Sequence, residues 1–133
     1  MSFQIVNPPE LGEPRGWNNG LLAPPGGRLL FVAGQTARDS EGRIVEGGFV
    51  SQFERALQNV VAVVRAAGGG PEQIGRLTLY VTDRDEYLAN RKAMGEVYRR
   101  LMGQHYPAIA LLVVAGLVDE GALIEIEATA VLT

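Results

Sequence analysis

The chain has 133 residues, enough for one domain spanning 1–133 that buries roughly two thirds of the surface its unfolded form exposes. With no cysteine it has no disulfide framework, thiolate chemistry or sulfur-based zinc site, and a net charge of −3 gives no attraction for nucleic acid or an acidic membrane surface. No apolar run reaches a membrane span and Met1 to Pro9 lacks the layout of a signal peptide, so a cytoplasmic protein without membrane or nucleic-acid partners is expected.

Taken in chain order, strands are predicted at about Gln4 to Val6, Gly16 to Leu22 and Arg28 to Ala33. Turns fall at Pro24-Pro25-Gly26-Gly27 and Asp39-Ser40-Glu41-Gly42. The first helix sets Phe49, Phe53, Leu57, Val60, Val61 and Val64 on one side, with Gln52, Glu54, Arg55 and Gln58 largely on the other, and ends at Gly68. A strand at about Arg76 to Val81 follows, then a second helix from about Asp85 to Met102, capped by Asp83 or Asp85 and closed by Gly103. Strands at about Ala108 to Val114 and Leu123 to Leu132 complete a ββ(β)αβαββ order. The fold class is therefore α+β, with a six-stranded mixed sheet and two helices on one face.

The last strand carries the sharpest chemical signal. Ile124, Ile126, Ala128 and Ala130 alternate with Glu125, Glu127, Thr129 and Val131, which puts two carboxylates on one face. Carboxylates that close repel each other, so the fold must give them water or cationic partners, or hold one protonated for proton transfer. The remaining catalytic vocabulary is short. His105 is the only histidine, Lys92 the only lysine, and Ser2, Ser40 and Ser51 have no G-x-S-x-G turn to present them, so a serine triad is not expected. Gly26 to Gly27 and Gly68 to Gly70 match neither the P-loop nor the dinucleotide fingerprint, and no metal-ligand cluster is spelled out.

Leu29 to Ala33, Leu77 to Val81 and Ala108 to Ala115 are nearly continuous apolar runs, the pattern of strands covered on both faces. Two helices cover one face only. The other would leave a larger apolar patch than monomers usually expose, which predicts a symmetric homo-oligomer packed sheet to sheet, with pockets at subunit boundaries.

Gly34-Gln35 after an apolar strand, Ala66-Ala67-Gly68 at the end of the first helix, Tyr106-Pro107-Ala108, and Ile124-Glu125-Ile126-Glu127-Ala128 together resemble the YjgF/RidA family from about Arg15 to Val131. The resemblance implies a chorismate-mutase-like fold, a homotrimer, and three intersubunit clefts that hydrolyse enamine and imine metabolites without a metal or organic cofactor. It implies that Glu125 orients the attacking water or moves its proton, that the Gly34 backbone lines the cleft, and that Trp17 stands where deaminases have a tyrosine. It also places Ile109 where deaminating members have an arginine that grips the substrate carboxylate, so ordinary 2-imino acids are expected to be poor substrates. Leu111, two residues on, shares its strand face and makes the cleft more apolar. Arg15, Arg91 and Lys92 are candidate substitutes for the clamp, and His105 is a candidate for the cleft mouth. The alternative is a trimer that binds a small molecule or regulates a partner without turnover.

Overall fold

The computed structural model describes residues 2–133. Strands β1 (Gln4–Val6), β2 (Gly20–Leu22) and β3 (Arg28–Gln35) lead into helix α1 (Gly48–Ala66). Strand β4 (Ile74–Val81), helices α2 (Arg84–Ala89) and α3 (Arg91–Met102), and strands β5 (Ala108–Val113) and β6 (Ile124–Leu132) follow. The main sheet has the order β3-β6-β4-β5, with β6 antiparallel to both neighbours and β5 parallel to β4. This is the expected α+β class.

Hydrophobic periodicity explains the layering. Phe49, Phe53, Leu57, Val60 and Val64 form one buried stripe of α1, and Met94, Val97 and Met102 form the matching stripe of α3. Both face a layer of Leu77, Leu79 and Val81 from β4 and Ile124, Ile126 and Ala128 from β6, all buried. The opposite face of the same strands carries Thr78, Tyr80, Glu125, Glu127 and Thr129 between the apolar residues of the two edge strands, as the register requires. On this outer face Leu29, Phe31 and Leu112 are 62%, 75% and 44% exposed.

Two predicted elements are corrected. The six strands do not form one sheet: β1 and β2 pair only with each other. Pro24 and Pro25 have no N–H to donate to a ladder, so the chain leaves β2 without pairing it to β3. The hairpin docks instead at the start of β4 and β5, where Phe3 packs so closely that a Cβ on Gly75 would lie 3.0 Å from its ring. The second helix is also broken at Asn90. The Asn90 side-chain Nδ2 donates to the Glu86 carbonyl at 2.7 Å while its backbone N–H goes to Tyr87, so the side chain takes the acceptor that a continuing helix would use. Asp83 caps α2 through the Glu86 N–H at 3.1 Å, and Gly68 and Gly103 end α1 and α3 with φ of +94° and +66°.

His105 serves the fold. Its Nε2 lies 2.6 Å from the Ile74 carbonyl, its ring stacks on Phe3, and its carbonyl accepts the Tyr98 hydroxyl at 2.6 Å. Burial, then the neighbouring Tyr106, pushes the Tyr98 phenol well above its usual pKa. On the outer face, partial desolvation, the hydrogen bond to Glu127 and the charges of Glu127 and Glu125 raise that of Tyr80. A phenol whose pKa is raised by folding contributes stability that is full below the unfolded value of about 10 and is lost as pH rises beyond it. Thermal unfolding followed from pH 8 to pH 12 is expected to show a falling Tm above about pH 10, with Tyr98→Phe flattening that fall; a flat native profile would contradict the burial of Tyr98.

Candidate functional site

Glu125 points away from the helical layer, from the middle of the sheet. The register between β3 and β6 slips here: Val32 pairs with Ala128 and Gln35 with Ile126, so Ala33 and Gly34 together oppose Glu127. Such a bulge bends the strand and re-aims its backbone. It presses Gly34 against the Glu125 side chain, where a Cβ would overlap Oε2 and lie 2.9 Å from Cδ. A side chain at 34 would push the Glu125 carboxylate off this position, so glycine here lets the carboxylate lie against the main chain. Glu125 is half-buried and pairs with none of the cations in ion pairs, which are Arg38–Asp119, Arg43–Glu41 and Arg100–Glu54 among the described residues. Glu127 is exposed and accepts the Tyr80 hydroxyl at 3.2 Å, and Tyr80 stands directly opposite Glu125 in the ladder. The two carboxylates are therefore unlike: one is tied to a phenol, the other lies open beside a main-chain segment.

Trp17, Ile109 and Leu111 gather elsewhere. They line a cavity of about 420 Å³ between the β5 edge of the sheet and helices α1, α2 and α3. Leu77 and Leu79 of β4 pair with Ile109 and Leu111 of β5, so all four lie on the helical side of the sheet. Phe53, Leu57 and Ile126 add to the apolar wall, and Tyr87, Tyr98 and Tyr106 contribute rings. Tyr98 and Tyr106 stack at 5.1 Å. Arg15, Arg91 and Arg99 reach the same cavity, while Lys92 does not.

Trp17 is held by a polar brace that sequence reading missed. It precedes β2 in an irregular segment opened by Gly16, whose φ of +86° favours glycine, rather than lying within a strand. Asn18 donates from its side chain to the Tyr106 carbonyl at 2.6 Å and from its backbone to the Pro107 carbonyl at 3.1 Å. Asn7 donates to Asn18 Oδ1 and accepts the Asn19 N–H, and Asn19 Oδ1 accepts the Trp17 indole N–H at 3.1 Å. The indole donor is thus occupied and Trp17 offers its ring. A cluster of three asparagines flanking short strands was the available signal.

Within one protomer the predicted residues form two groups on opposite faces of the sheet: Glu125 with Gly34, and Trp17 with Ile109 and Leu111. Residue alternation fixes this, because β4 pairs Tyr80 with Glu125 but Leu79 with Leu111. Within the single chain the carboxylate and the apolar cavity are therefore separated by the sheet.

Comparison with known proteins adds an independent line. The family model described as Endoribonuclease L-PSP matches residues 17–132. A RutC family protein of Pyrococcus abyssi is 34% identical over 105 residues, covering 78% of this chain and 79% of that protein. The human 2-iminobutanoate/2-iminopropanoate deaminase is 30% identical over 105 residues, covering 78% and 73% respectively. Among solved structures, the conserved Rid-family protein YyfB of Yersinia pestis, described as of unknown function, aligns with a TM-score of 0.87 at 32% identity, covering 99% of this chain and 100% of that one. Escherichia coli TdcF, solved with bound serine, aligns with a TM-score of 0.68 at 29% identity over 92% of both chains.

Proposed function

Because the chain belongs to the YjgF/RidA family, which the endoribonuclease L-PSP model describes, we propose that it is a Rid-type hydrolase of small enamine or imine metabolites, working in clefts between the subunits of a homotrimer. The fold is the chorismate-mutase-like α+β arrangement of Rid proteins. The observation that carries the reading is Glu125, a half-buried carboxylate without an ion-pair partner among the described residues, lying against the Gly34 main chain.

In the proposed reaction Glu125 accepts a proton from water as the water oxygen bonds to the imine carbon, the electron pair of the C=N bond moves to nitrogen, and Glu125 returns that proton to the nitrogen; the carbinolamine hydroxyl proton then passes to the nitrogen by the same carboxylate. Collapse of the resulting carbinolamine breaks the C–N bond, forms the carbonyl and releases ammonia. The cleft joins Glu125 and Gly34 of one copy to the Trp17, Ile109 and Leu111 wall of the next. The placement of the two groups on opposite sheet faces supports such a shared site. The exposed apolar side chains that β3 sets on the outer face, Phe31 and Leu29, support the assembly.

Ile109 fills the position at which deaminases carry an arginine, so the shortest 2-imino acids should react slowly. A charge-assisted bond contributes about 1.5–3 kcal/mol, roughly tenfold to a hundredfold in affinity. The test generates 2-imino acids in the cuvette and follows keto-acid release by the native chain beside Ile109→Arg. The native chain should accelerate release from imines with large apolar side chains, and Ile109→Arg should gain about tenfold or more on the shortest ones. Acceleration by neither protein would remove the hydrolase reading and leave a trimer that binds without turnover, the class that Ile109 also favours.

A further inference from the structure

The cavity is built for more than a three- or four-carbon imino acid. Its volume of about 420 Å³ lies within the ~300–1,000 Å³ typical of small-molecule sites. Its floor is apolar, with Phe53 and Leu57 from α1, Leu79 from β4 and Ile126 from β6. Its mouth is cationic: Arg15, Arg91 and Arg99 line it, and no acidic residue does. In a chain with 15 acidic and 12 basic residues, three arginines around one opening with no acid among them is a marked local bias. None of the three is in the ion pairs of the described residues, which use Arg38, Arg43 and Arg100.

The helix sequence supports the same reading independently. Arg91, Gly95 and Arg99 are spaced four apart and share one face of α3. Gly95 sits in the helix interior, where glycine is less favourable than alanine, and it also lines the cavity. A Cβ there would lie 3.3 Å from Arg99 Nη1, so the missing side chain lets the Arg99 guanidinium lie back across the helix beside the opening. Planar guanidiniums fit a carboxylate through two parallel hydrogen bonds.

We propose that this cavity takes a monocarboxylate with a long apolar or aromatic tail, its carboxylate held at the mouth by Arg91 and Arg99 and its tail seated on the floor formed by Phe53, Leu57, Leu79 and Ile126. Arg15 adds a third cation from the segment that carries Trp17. The clamp is thereby moved from the strand position of Ile109 to α3, and the space that an arginine at 109 would fill is given to the tail. This names the substrate class of the proposed reaction, and it rests on the reading that the cavity is the substrate-holding half of the cleft.

The experiment is a calorimetric titration of 4-phenylbutanoate, butanoate and 4-phenylbutanamide into the native protein and into Arg91→Gln, Arg99→Gln, Lys92→Gln and Glu125→Gln. The arginines are exposed, and a thermal melt of each variant confirms that it is folded. Native protein should bind 4-phenylbutanoate and bind each of the other two at least tenfold more weakly. Arg91→Gln and Arg99→Gln should each lose about tenfold, Lys92→Gln nothing, and Glu125→Gln should retain binding. Absence of 4-phenylbutanoate binding, equal binding of all three probes, or arginine variants that bind as the native chain does would each overturn the proposal. Binding as described with no imine turnover would uphold the ligand class and remove the hydrolase reading. Turnover without 4-phenylbutanoate binding would do the reverse.

Discussion

Replacing Glu125 by glutamine is expected to lower imine hydrolysis about 10²–10⁴-fold, the usual contribution of a positioned general base, while substrate affinity stays within a few-fold. The substitution keeps size and hydrogen-bonding shape, so the contact with Gly34 and the β3–β6 ladder survive. What is lost is the ability to take a proton from water. Glu127→Gln is the internal control, because Glu127 stands two residues away on the same face, is exposed and is already bonded to Tyr80. Its loss should cost less than tenfold, within the range of a single exposed polar contact. Steady-state kcat and KM for the two variants separate the roles: a fall confined to kcat in Glu125→Gln marks an interaction made in the transition state. Equal losses in both variants would mean that the face acts only through its total charge.

The second large effect concerns assembly. Phe31→Glu is expected to convert the proposed trimer to monomers at micromolar concentration, with the turnover rate falling in parallel. Phe31 is 75% exposed in the single chain and pairs with Thr129 on the sheet face away from the helices, so its replacement should leave the monomer fold intact. At an interface the same position is buried, and removing a phenylalanine there forgoes about 1.5–3 kcal/mol per copy. A carboxylate forced into an apolar contact adds a desolvation penalty of several kcal/mol per charge. Light scattering measures the mass and circular dichroism the fold. A Phe31→Glu protein that remains trimeric would place the subunit contact on another surface.

Much of this was legible in the chain. The i, i+3, i+4 spacing of Phe49, Phe53, Leu57, Val60 and Val64 specified α1 and its buried face, and Ile124, Ile126, Ala128 and Ala130 alternating with two glutamates specified β6. Asp83 and Gly103 marked helix ends because capping is local chemistry. What stayed hidden depends on long-range pairing. The β3 bulge that sets Gly34 on Glu125 needs the register of β6, which no local pattern encodes. The separation of Glu125 from Ile109 needs the register of β4 with both neighbours at once. The departure of the β1–β2 hairpin from the sheet depends on Phe3 and Asn18 finding partners at Gly75, Tyr106 and Pro107, far along the chain. The resemblance pointed to the family and to Glu125, but no local pattern singles out Arg99 and Gly95, which only the fold places on the cavity.

The central claim is that the carboxylate of one copy works on a substrate held by the next. It is tested most directly by co-expressing two inactive chains, Glu125→Gln and the cavity-filling Gly95→Leu, and measuring imine hydrolysis by the purified mixed assemblies. Random mixing should restore roughly a quarter of the sites, each with Glu125 from one chain and an open cavity from its neighbour. Activity no higher than that of either variant alone would contradict a site shared between subunits.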